Sequence, residues 1–171
     1  YAVLRRALSA HERLERVVLS ERGLDGVAGA LAALIGGPAI IFDARGEVLA
    51  RRAARQPLQE SAVTALADEL RERARAGGRR GYAPGGELSG RALALPVPRT
   101  PQGNAPAGDG PAPQAWLVAA KDGGPLTEFD RLTLHQAVTV VALELLRRRV
   151  ADETERRLAG DVLTAMVSGE L

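Results

Sequence analysis

Few residues in this 171-residue chain have the types and spacing that chemistry needs. The two imidazoles are His11 and His135. Neither has a second metal ligand at helical spacing, and no nucleophile elbow accompanies them. Cysteine is absent, which removes disulfides, thiolate metal sites and thiol nucleophiles. Asp43 opens the turn Asp43-Ala44-Arg45-Gly46, where a carboxylate most simply caps its own backbone. Gly77, Gly78, Gly81, Gly85 and Gly86 fit neither a P-loop nor a dinucleotide turn. The sequence therefore points to a non-enzyme with no cofactor and no metal. Tyr82, Arg91 and Trp116 are the residues that could line a small-molecule pocket. Each also has a structural use, and that use is the commoner one.

Charge adds little. Of the 23 basic residues, every one but Lys121 is arginine, and the formal net charge is only +2. The clusters at 71–80 and 147–149 could touch phosphates, but they lack interleaved aromatics. Glu69, Glu72, Asp152 and Glu153 also sit beside them. A solvated helix face explains them better than nucleic-acid binding. No apolar run reaches the roughly 20 residues of a membrane span. No signal peptide or lipidation motif is visible, so a reducing cytoplasm is expected. The chain opens on Tyr1, which reads as a segment of a longer polypeptide.

The elements that must position these residues follow from periodicity. Residues 2–21 predict a helix with Leu4, Ala7, Leu8, His11, Leu14 and Val18 on one stripe. Leu24 to Leu34 predicts a second helix, stopped by Gly36-Gly37-Pro38. Ala39–Asp43 and Glu47–Arg51 predict a hairpin whose first strand, apolar on both faces, is central. A helix is expected from Pro57 to about Ala76, and a short strand near 86–88. Two further strands are expected at 91–97 and 115–120, with a loop at 98–113 between them. Thr127 and Asp130 predict a capping box for a helix over 126–150. That helix is apolar on two sides: Leu134, Val138, Val141 and Leu145 on one, Phe129, Leu132, Ala137, Val140 and Leu143 on the other. A second stripe, Leu158, Val162, Leu163, Met166 and Val167, follows a polar stretch, and Gly160 marks where the helix runs on or breaks.

This order implies an α+β fold, an antiparallel sheet covered by helices on one face. The residues 36–50 (Gly-Gly-Pro-Ala-Ile-Ile-Phe-Asp-Ala-Arg-Gly-Glu-Val-Leu-Ala) resemble the GAF-like sensory region of PucR-type (CdaR-related) bacterial transcriptional regulators. So do 126–132, 136–145 and 155–163. The resemblance implies a GAF/PAS-like sheet with long N- and C-terminal helices packed in a dimerising bundle. It implies a dimerisation helix over 1–22, a sensory domain over 23–150 and a helical linker over 151–171. The implied function is small-molecule sensing and homodimerisation, with DNA reached only through a helix-turn-helix outside this segment. The alternative is a ligand-free dimerisation spacer of the same kind of regulator. The expected dimer interface joins Leu4, Leu8, His11, Leu14 and Val18 to Leu134, Val138, Val141 and Leu145.

Overall fold

Alternation along the strands decides the architecture. The computed structural model describes residues 5, 6, 8, 9, 12, 23–99 and 111–169. Strands β1 (Ala39–Asp43), β2 (Val48–Arg52), β3 (Ala92–Val97) and β4 (Ala115–Ala120) form one antiparallel sheet in the order β2-β1-β4-β3. The helices are α1 (Gly23–Ile35), α2 (Glu60–Arg75) and α3 (Glu128–Ser168). In β1, Ile41 faces one side with Ala39, and Ile40 faces the other with Phe42. In β4, Leu117 and Ala119 share the first side, while Trp116 and Val118 share the second. Both central strands are apolar on both faces, so both faces must be covered. Helix α1 and the first half of α3 cover one face, through Leu24, Val27, Leu31, Leu134, Ala137 and Val141. Helix α2 covers the other with Val63, Leu66 and Leu70, helped by Tyr82 and Leu88.

Several expectations change here. The helices lie on both faces of the sheet, not one, and α3 packs beside α1 of its own chain. Residues 86–88 form a 3-10 turn, not a strand. Helix α3 runs unbroken through Gly160, one of the two courses expected there. The expected helix over 2–21 lies mostly outside the described residues, as does much of the 98–113 loop.

The edges behave as their residues dictate. Pro96 sits on β3, an edge strand, where its missing N–H costs no interior ladder bond. Gly37 is fixed by a close approach: a Cβ there would lie 1.9 Å from the carbonyl oxygen of Ala120. Only glycine lets the α1–β1 connection pass so near β4. Helix α3 starts at the expected box. Asp130 N donates to Thr127 Oγ1 at 3.1 Å, and Thr127 N donates to Asp130 Oδ2 at 2.8 Å. Lys121 Nζ lies 3.0 Å from the same Asp130 oxygen.

Candidate functional site

Helix α3 has 41 residues, yet its buried residues, Asp130, Thr133, Leu134, Ala137, Val140, Val141 and Glu144, all lie in its first half. Beyond Glu144 no residue of the helix is buried, and from Val150 to Gly169 only Ala165 is half-buried. The second half is an arm that leaves the sheet. It is not an ordinary solvated helix, because Leu158 is 60% exposed, Val162 54%, Met166 63% and Val167 88%. Exposed apolar surface of this extent is characteristic of contact sites.

The arm's apolar surface joins the solvent side of the helix root. Leu146, Val150, Thr154, Leu158, Val162 and Met166 recur every four residues, which is the spacing of a ridge on a helix surface. Leu143 and Leu132 extend the exposed apolar surface back along the root.

Glu144 fixes the base of the arm. Its side chain is buried, and Arg147 donates to both carboxylate oxygens, at 3.0 and 2.8 Å. Arg148 Nε lies 3.8 Å away. Gly23, the first residue of α1, passes close by; a Cβ there would sit 3.5 Å from Glu144 Oε1. A buried carboxylate holds only where cations balance it, and part of the 147–149 basic run is spent on that balance.

The three expected pocket residues do not share a pocket, although Arg91 lines a cleft with Arg55, Glu87 and Asp122. Tyr82 and Trp116 pack together in the α2-side core, with ring centroids 5.7 Å apart. The Arg73 guanidinium lies 4.0 Å from the Tyr82 ring centroid. The Tyr82 hydroxyl finds no hydrogen-bond partner among the described residues. Burial, followed by the nearby Glu69 carboxylate, pushes its pKa up to about 12, although Arg73 pulls the other way. Arg91 lies apart from the pair and donates to the Lys121 carbonyl at 2.6 Å.

Asp43 is structural too. Asp43 Oδ1 accepts from Arg45 N and Glu47 N, capping its turn as expected. His135 is exposed on α3. Among the described residues no group of His, Cys, Asp or Glu could hold a metal ion. Of the expected dimer interface, Leu134 and Val141 are buried in the protomer's own core, out of a second copy's reach. Val138 and Leu145 are half-buried against that core. Leu8 is exposed, and Leu4, His11, Leu14 and Val18 lie outside the described residues. Sequence reasoning missed Leu146 and Val150 as exposed apolar residues. The repeat of four that runs from them into the 158–167 stripe is the signal that carries them.

Among the described residues no helix is long and apolar enough to cross a membrane. No protein-family model and no curated protein matches the chain. Solved structures that match include the gliding protein MglB from Thermus thermophilus. It is 18% identical, with 84% of this chain and 91% of that one covered, and a TM-score of 0.45. Another is a structure described as MglB with tetrameric arrangement, at 17% identity, covering 84% and 90%, also with a TM-score of 0.45. These matches are to MglB and not to GAF or PAS domains. They overturn the resemblance to a PucR-type regulator. With it go the GAF-like fold, the sensory function, the spacer alternative framed on that family, and the assignment to transcription regulation. At this identity and TM-score the likeness brings no activity or partner to this chain.

Proposed function

We propose that this chain is a non-catalytic association module: a sheet-and-helix body that presents the second half of α3 as a contact arm to further copies of itself. The observation that carries the reading is the apolar ridge from Leu146 to Met166, exposed along a helix that the body supports only at its root. Burying one Leu or Val of this kind is worth about 1.5–3 kcal/mol, so several together can drive association. The dead-end chemistry elsewhere supports a non-enzymatic role. The arginines of the root pair with Glu144, Asp43 caps its own turn, and the Tyr82–Trp116 pair fills a core. A cysteine-free chain suits a reducing cytoplasm.

Sedimentation or light scattering against concentration tests this. The wild-type chain is expected to associate. The double substitution Leu158→Lys with Val162→Lys should return it to the protomer without altering the near-ultraviolet signal of Trp116. A chain that stays monomeric at high micromolar concentration would sink the reading.

A further inference from the structure

The ridge is self-complementary in one alignment of two copies, and that alignment is antiparallel. Leu146, Val150, Thr154, Leu158 and Val162 read apolar, apolar, threonine, apolar, apolar. A twofold axis passing beside Thr154 sets Val150 against Leu158 of the second copy. That pair occurs twice, as a twofold interface requires. Leu146 and Val162, each about 80° round the helix from Thr154, flank the contact. The one polar residue of the five meets itself, and it needs no new partner: Thr154 Oγ1 already donates to the Val150 carbonyl of its own helix at 2.9 Å.

Charge chooses the same direction. The axis through Thr154 places Arg147, whose guanidinium also holds Glu144 of its own chain, opposite Asp161 of the second copy, again twice. Arg147 and Asp161 flank the ridge on the face that Thr154 occupies, since each lies seven residues from it, two helical turns. A parallel, in-register pair would instead set Arg147 on Arg147 and Asp161 on Asp161 of the second copy. The ridge spacing of four also fixes the style of contact. Ridges of this kind run parallel to one another when helices cross at about 50°, 8–10 Å apart. The contact is therefore densest at Thr154 and its neighbours Val150 and Leu158, with Leu146 and Val162 at its rim.

We infer that two copies of this chain associate through an antiparallel crossing of their α3 arms, with the twofold axis at Thr154. The inference rests on the self-association proposed above and adds its geometry.

The absence of cysteine makes the test clean. Single cysteines are introduced by Thr154→Cys, Val150→Cys and Leu158→Cys, and each full chain is oxidised mildly. Thr154→Cys should form a disulfide-linked dimer readily, because the axis brings the two copies of that residue together within the 4.4–6.8 Å Cα separation a disulfide allows. Val150→Cys and Leu158→Cys should link poorly by themselves and readily when mixed. Equal self-linking at all three positions means a parallel pair and overturns the inference, as does an unlinked Thr154→Cys in a chain that light scattering shows to be dimeric. A monomer by light scattering instead removes the self-association on which the geometry rests. Circular dichroism on each variant confirms that the helices are intact. Asp161→Arg, an exposed change that sets like charges together, should weaken association at low salt and less so at high salt.

Discussion

Tyr82 shows how a residue suited to chemistry is used up by packing. Its ring is wedged between Trp116 and the Arg73 guanidinium, and its hydroxyl is buried with no partner among the described residues. An unpaired buried hydroxyl costs about 1–3 kcal/mol. Tyr82→Phe is therefore expected to leave the protein as stable as before or more so, measured by thermal melting near neutral pH. The raised pKa predicts a second effect. An unfolded tyrosine titrates near 10, whereas the folded one titrates at about 12. Below pH 10 the residue is neutral in both states and its contribution is complete. Between pH 10 and 12 the unfolded chain loses that proton while the folded one keeps it, so stability falls as pH rises. In Tyr82→Phe that part of the alkaline loss should vanish, measured by urea unfolding at pH 9 and 11. At Glu144 an asymmetry is expected. Replacing Arg147 and Arg148 together with alanine strands a buried carboxylate and should cost about 3 kcal/mol or more. Glu144→Gln leaves two half-exposed arginines that water can solvate, and should cost less in the same assay. None of this was legible beforehand, since residue type shows that Tyr82 and Arg91 can bind something but not whether they meet.

At the scale of elements, short-range signals read well. The hairpin of β1 and β2, the partner strands β3 and β4, and the Thr127–Asp130 box all stand where alternation and capping chemistry place them. The 3-10 turn at 86–88 was not legible, because three residues carry no period that separates a turn from a strand. Cover on both faces could have been read. Ile40, Ile41 and Phe42 in one strand, and Trp116, Leu117 and Val118 in the other, leave no polar side to face water. Helix α3 resisted for the opposite reason. It is apolar on several sides, so periodicity finds a helix but cannot tell Leu134 and Val141, which are buried, from Leu143 and Leu146, which are not. Gly160 is an interior residue of this helix with open space around it. Gly160→Ala should stabilise the arm by about 1 kcal/mol. Helical ellipticity should rise while the Trp116 signal of the body stays unchanged.

For the molecule as a whole, resemblance misled where physics was silent. Runs such as Gly36–Ala50 and Leu126–Leu132 specify a strand between turns and a capped helix, and many folds need those. What sets this chain apart is its topology: the strand order, the helices on opposite faces, and a third helix that outruns the sheet. The consequence of that third helix is angular. Because α3 continues from Glu128 to Ser168 without a break, the body dictates the compass bearing of every residue on the arm. One alanine inserted after Arg149, which keeps Val150, Thr154 and Leu158 together, would swing everything beyond it by about 100°, while seven would come back to within about 20° of the original bearing. Dimer yield in the Thr154→Cys background should collapse with one inserted residue and recover with seven. Chain length at the arm's base thus works as a dial, and only certain settings let two copies meet.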